Sequence, residues 1–241
     1  MGIYLTGGLR VPAAGTAAAA GSLCAELWGR FIADVRSQAG EDTRIVVLAV
    51  GDTAATQARE LVEAAHREGD ARFSVVTTSD TFDLQAIAFA SAIVVVDGEP
   101  EAVRAALAPI DGEIRRRVAA DTPYLGIGAG AIVAAEKALI GGWRIGGVPV
   151  SPEEYGFGLD EVTVAQGLGL LDLSVVTAPA ATGSLGRLVA ATEGALVPGG
   201  IGIDTETALI IADGRLEVVG KGSLWQVIGS EHGVTVSTRG A

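Results

Sequence analysis

Apolar residues recur along this chain in two rhythms, and the alternation between them predicts most of the architecture. Residues 3–6, 44–49, 73–77, 92–96 and 123–125 are short runs dominated by Val, Ile, Leu and Ala, and each reads as a strand. Between them the spacing changes. Leu23, Leu27, Phe31 and Val35 return every four residues and predict a helix over 22–38. Gly51-Asp52-Thr53 opens a second helical pattern that runs to about residue 68, and a third covers 100–119. Strands apolar on both faces and separated by helices form mostly parallel sheets covered on both sides. In such sheets ligands bind beyond the carboxyl ends of the strands. That directs attention to Gly7-Gly8, to Asp97-Gly98-Glu99 and to residues 126–130, each directly after a strand.

The second half is less regular. Residues 141–154 are rich in glycine and proline and read as a loop over one end of the sheet. A strand is predicted at 173–177 and a short helix at 183–192. From residue 200 the pattern turns to short strands, at 201–204, 208–211, 216–219 and 223–227, with Asp213-Gly214 as a hairpin signal between two of them. No internal repeat or charged tail interrupts the chain, so residues 1–241 are read as one α/β domain. Its expected form is a three-layer, mostly parallel sheet flanked by helices, with a C-terminal group of short antiparallel strands.

Composition narrows the function. Hydrophobic residues make up 49% of the 241, enough apolar surface for a large core, yet only 5% are aromatic, so that core must be aliphatic. A net charge of −12 repels phosphate backbones and anionic lipid, which argues against nucleic acid or a membrane surface as partner. The single cysteine, Cys24, excludes an internal disulfide and falls in a helical pattern as a small core residue. No basic segment followed by an apolar stretch opens the sequence, and no apolar run is long enough to span a bilayer. A cytoplasmic protein is the expectation.

The most informative segment is Leu125-Gly126-Ile127-Gly128-Ala129-Gly130-Ala131. A strand, a sharp turn of small residues and a helix make a nucleophile elbow, which exposes one side chain and aims the next backbone N–H at a developing oxyanion. Everything the elbow requires is here except the reactive side chain. The segment resembles the Gly-x-Ser-Ala-Gly-Ala stretch of the peptidase S51 family, which includes cyanophycinase and dipeptidase E, on a class I glutamine amidotransferase-like (flavodoxin-like) fold. Further stretches match in the same order: Asp97-Gly98-Glu99-Pro100, Gly167-Leu168-Gly169-Leu170-Leu171, Leu185-Gly186-Arg187-Leu188, and Gly202-Ile203-Asp204 with Thr207-Ala208-Leu209.

The resemblance implies a triad, and the sequence lacks it. The serine position holds Gly128 and the histidine position falls at Ala178. Residues 141–150, where the acidic member is expected, contain no carboxylate; Glu136 is the nearest, and the only histidines, His66 and His232, lie elsewhere. A hydroxyl nucleophile needs a base in reach and the base needs an orienting partner. The implied protein is therefore a non-catalytic homologue with a binding, regulatory or partner-subunit role. What survives in this reading is an oxyanion cradle formed by the N–H groups of Gly98 and Ala129, with Glu99 and Arg187 as further ligand contacts, suited to a peptide or small carboxylate. No metal or cofactor is expected. A homodimer, or pairing with an active paralogue, is the assembly the resemblance leaves room for. Two alternatives stay open: an active serine-type peptidase with a relocated nucleophile among Thr177, Thr182 and Ser184, and a nucleotide-binding protein in which Gly126-x-Gly128-x-x-Ala131 is a variant dinucleotide fingerprint.

Overall fold

A computed structural model of the chain describes residues 2–12, 22–212 and 214–241. Its first half winds as β1 (Gly2–Thr6), α1 (Leu23–Ala39), β2 (Arg44–Val50), α2 (Asp52–Ala65), β3 (Arg72–Thr78), β4 (Ala92–Val95), α3 (Pro100–Leu107), α4 (Asp111–Ala119), β5 (Tyr124–Ile127) and α5 (Ala129–Val133). The second half adds β6 (Lys137–Gly141), β7 (Arg144–Ile145), β8 (Val148–Pro149), β9 (Thr163–Gln166), β10 (Ser174–Thr177), α6 (Pro179–Thr182), α7 (Leu185–Glu193), β11 (Gly199–Ile203), β12 (Thr207–Ala212), β13 (Arg215–Gly220), β14 (Ser223–Ser230) and β15 (Gly233–Gly240).

A central sheet of seven strands runs in the order β13-β12-β1-β5-β4-β2-β3. Strands β1 to β5 pair parallel, whereas β12 joins β1, and β13 joins β12, antiparallel. The inner strands are buried on both faces because successive side chains enter different cores, whereas the edge strands β3 and β13 are mostly half-buried or exposed. Ile3, Leu5, Val46, Leu48, Ile93 and Val95 pack with α3, α4 and α5 on one side. Tyr4, Ile45, Val47, Ala49, Val94 and Leu125 pack with α1 and α2 on the other. Helix α1 buries Leu23, Leu27, Phe31 and Val35, the predicted stripe, and adds Cys24, Trp28 and Ile32. Ser22 caps it by accepting from the Ala25 N–H, and Gly40 ends it at φ 65°.

The α/β class with a mostly parallel sheet is as the sequence predicts, but several elements differ. The helix expected over 100–119 is two helices joined by a 3₁₀ turn at Ala108–Ile110. Pro109 supplies the reason, since it has no N–H to continue the ladder and its ring crowds the preceding turn. Residues 141–154 are not wholly loop, because β7 and β8 pair as a small hairpin within them. Strand β6 pairs antiparallel with β9. The C-terminal strands do not form one group. β12 and β13 extend the central sheet, while β14 and β15 complete a second sheet in the order β10-β11-β14-β15. The turn between β12 and β13 holds Gly214 at φ 70°; Asp213, the other half of the predicted hairpin signal, lies outside the described residues.

Candidate functional site

The elbow sits where β5 gives way to α5, and its glycines are there for space. A Cβ on Gly126 would lie 2.6 Å from the Gly130 carbonyl oxygen, and one on Gly130 would lie 2.1 Å from the Val95 carbonyl oxygen, both rigid backbone. Strand and helix thus nearly touch, as an elbow requires. The fully buried Tyr124 fixes the geometry by donating its hydroxyl to the Gly130 carbonyl at 2.7 Å, and burial pushes its pKa well above the ordinary tyrosine range. Gly128 is at φ 54° and ψ −115°, a conformation that L side chains rarely adopt and that belongs to strained functional turns.

The space in front of Gly128 is occupied. A Cβ there would fall 2.1 Å from Oδ1 and 2.7 Å from Oδ2 of Asp97. Asp97 follows β4, and its Oδ1 accepts from the Ala129 N–H at 2.8 Å and from the Gly98 N–H at 2.9 Å. These are the two donors expected to form an open cradle for a ligand. They do converge, but on a carboxylate of the chain itself, so the cradle does not face the solvent. From the sequence Asp97 is only the first residue of the Asp97-Gly98-Glu99-Pro100 stretch after a strand, with no contact assigned to its side chain. The available signal was local: an aspartate before a glycine, directly after a strand, in a chain with glycine at the elbow.

Beside Asp97 opens a cavity of about 180 Å³. Its wall includes Gly7, Asp97, Gly98 and Ala129 from the carboxyl ends of the central strands, and Val176, Thr177, Ala178, Ser184 and Arg187 from the second sheet and its helices. Ile132 and Leu139 add apolar surface, and Tyr155 and Phe157 come from the loop that follows the β7–β8 hairpin. Ala178 and Phe157 hold positive φ, 51° and 54°, without being glycine. Such strain of about 1–3 kcal/mol per residue persists where the surroundings over-determine it, commonly at ligand sites. For Ala178 the restraints are visible. Its N–H donates to the Ile203 carbonyl at 2.7 Å and its carbonyl accepts from the Thr182 N–H at 2.9 Å. Nearby, Asp204 holds the start of α6 through the Ala180 N–H (3.1 Å) and ties it to β14 through the Ser223 N–H (3.1 Å) and Trp225 Nε1 (3.0 Å).

Arg187 is the unusual member. Only 2% of it is exposed, and among the described residues no carboxylate lies within ion-pair distance. Among the described residues its hydrogen bonds both run from Nη2, to the Tyr155 carbonyl and, at 3.5 Å, to Ser151 Oγ, and Nε has no acceptor. Burial alone pushes its pKa down to about 10, the mark of a charge removed from water without compensation.

The structure thus brings Gly98, Ala129, Ala178 and Arg187 to one cavity, with Gly128 behind Asp97. Glu99 is not with them. It is exposed, stands at the N-cap position of α3 without a side-chain capping bond, and lines a second, open cleft with Gly51, Asp52 and Thr53 that shares Asp97 and Gly98 with the cavity. The expected ligand contact from Glu99 is therefore displaced, because at the start of α3 it lines the second cleft and not the cavity. Glu136, His66 and His232 are exposed and do not line the cavity. Ser184 and Thr182 do line it. Their hydroxyls lie 2.8 Å apart, and the Ser184 hydroxyl is also 3.4 Å from the Thr177 carbonyl. Neither is bonded to a side chain that could take its proton, and an arginine cannot serve as that base. Among the described residues no cluster of His, Cys, Asp and Glu is arranged to hold a metal, and no helix is long and apolar enough to cross a membrane. No protein-family model and no curated protein sequence matches the chain.

Proposed function

We propose that this chain is a ligand-binding protein on a peptidase S51-like, class I glutamine amidotransferase-like scaffold, without covalent catalysis, and that its cavity holds a small molecule bearing a carboxylate against Arg187. One observation carries the loss of catalysis. The Asp97 carboxylate occupies the place of a side chain at position 128 and accepts both N–H groups that an oxyanion would use. A tetrahedral intermediate would have neither nucleophile nor cradle. Binding is supported by a buried guanidinium without a counter-charge among the described residues, in the wall of a cavity of ligand size. A carboxylate is the acceptor that matches a guanidinium fork and offsets its buried charge. A regulatory or partner-subunit role is consistent with such a site, since binding without turnover can still bias a conformation or an assembly.

The test is direct. Purified protein should not hydrolyse cyanophycin, β-Asp-Arg or dipeptides with N-terminal Asp, and fluorophosphonate probes should leave Ser184 and Thr182 unlabelled. Small carboxylates should raise its melting temperature, and Arg187→Met should remove that response. Turnover abolished by Ser184→Ala would overturn the reading in favour of a relocated nucleophile. Stabilisation by NAD or ATP with none by carboxylates would favour a nucleotide site.

A further inference from the structure

The cavity is lined by two side chains of opposite charge, and among the described residues neither is paired with a counter-charge. Arg187 lacks a carboxylate partner, as described above. Asp97 is the reverse case. Its Oδ1 is saturated by the Gly98 and Ala129 N–H groups, while Oδ2 has no hydrogen bond or ion pair among the described residues. Both residues line the same 180 Å³ space, where Tyr155 is the one further ionisable side chain among the described residues. The same wall carries the apolar residues Ile132, Leu139, Val176 and Phe157.

We infer that the ligand is a small zwitterion, an apolar amino acid or a compound like it, with its ammonium on Asp97 Oδ2 and its carboxylate on Arg187. The inference rests on the binding role proposed above and adds the second charge. A ligand entering this cavity meets the Asp97 carboxylate where an open cradle would have offered N–H donors. A second anion placed there would be repelled by it, whereas an ammonium supplies the charge-assisted donor that the free oxygen lacks. A doubly anionic ligand leaves Asp97 opposed, and a simple carboxylate leaves it unpaired in a half-closed site. Size limits the remainder. A cavity of ~150 Å³ holds a benzene ring, so the space here suits a molecule of amino-acid size whose hydrocarbon part packs on the four apolar residues.

The experiment is isothermal titration of the full chain with four probes: leucine, 5-aminopentanoate, 4-methylpentanoate and 3-methylbutylamine. The two zwitterions differ in the distance between their charges and so measure the separation the site prefers; the other two each lack one charge. At least one zwitterion should bind about tenfold or more tightly than either single-charge analogue, the factor expected for one charge-assisted hydrogen bond. Asp97→Asn, which keeps an oxygen for the two N–H groups, should remove that advantage while leaving 4-methylpentanoate binding within about twofold. If 4-methylpentanoate equals the better zwitterion, or Asp97→Asn changes nothing, the zwitterion is refuted while carboxylate binding at Arg187 stands. If none of the four binds, or binding survives Arg187→Met in a protein that still melts cooperatively, the binding role itself falls.

Discussion

Replacing Gly128 by alanine should destabilise the protein by two separable mechanisms, and a second substitution tells them apart. The first is backbone strain. At φ 54° and ψ −115° a residue with a Cβ costs about 1–3 kcal/mol more than glycine. The second is displacement, because the new Cβ would lie 2.1 Å from Asp97 Oδ1. That oxygen is the end of a short side chain and can swing away, so what is lost is its bonds to the Ala129 and Gly98 N–H groups. For a half-exposed carboxylate this amounts to about 2–3 kcal/mol for the pair. The sum, roughly 3–6 kcal/mol, should lower the melting temperature by about 6–24 °C in a chain of this length. In an Asp97→Ala background the second mechanism is already gone, so Gly128→Ala should cost only the strain. Urea denaturation of the four proteins, with slopes checked for constancy, should give a coupling of about 2–3 kcal/mol. Gly130→Ala is the control. Its Cβ meets the Val95 carbonyl oxygen at 2.1 Å, a backbone atom that Asp97→Ala does not relieve, and the pair should be additive within about 0.5 kcal/mol. Additivity at Gly128 as well would mean that Asp97 does not occupy the elbow in solution, and the proposed absence of covalent catalysis would lose its support.

Arg187→Met should make the ligand-free protein about 1–2 kcal/mol more stable at pH 7, since removing an uncompensated buried charge outweighs the Nη2 hydrogen bonds. Burial lowers the Arg187 pKa, and the guanidinium stays charged at neutral pH, so the penalty is present there; a variant less stable than wild type in thermal melts at pH 7 would contradict the assignment. Burial, reinforced by Glu206, pushes the Cys24 thiol up to about 11. At pH 8 it should react with a disulfide reagent about two orders of magnitude more slowly in the native protein than in urea, and its contribution to stability should fall as pH rises above the ordinary thiol value of ~8.5. Asp204→Ala leaves the Ala180 and Ser223 N–H groups and Trp225 Nε1 without their acceptor and should cost about 3 kcal/mol in urea melts; a loss below 1 kcal/mol would show that water replaces the carboxylate there.

Different parts of this molecule were legible to different degrees. The α1 stripe, the apolar runs of β2 and β4 and the elbow glycines could be read directly, because burial on a sheet or helix face imposes a period on the sequence. β15 could not. Val234 and Val236 are its apolar positions, and residues 233–240 of Gly-Val-Thr-Val-Ser-Thr-Arg-Gly lie at an exposed edge, where β14 supplies backbone hydrogen bonds and the side chains bury little. The split of the C-terminal strands between two sheets was equally hidden, since β13 and β14 carry similar alternation and only their partners differ.

The site divides in the same way. Sequence by itself determined that position 128 has no nucleophile, that position 178 has no base, and that small residues must stand at 126 and 130 for strand and helix to approach. It also placed Gly98, Ala129 and Arg187 among the candidate contacts. Only the tertiary structure decided that the Asp97 carboxylate fills the cradle, that Glu99 turns to another cleft, and that Arg187 is buried without a counter-charge. The reason is physical. A missing functional group is a property of one position, whereas an occupied hydrogen-bond donor or an unpaired charge depends on which distant side chains the fold brings within about 3 Å.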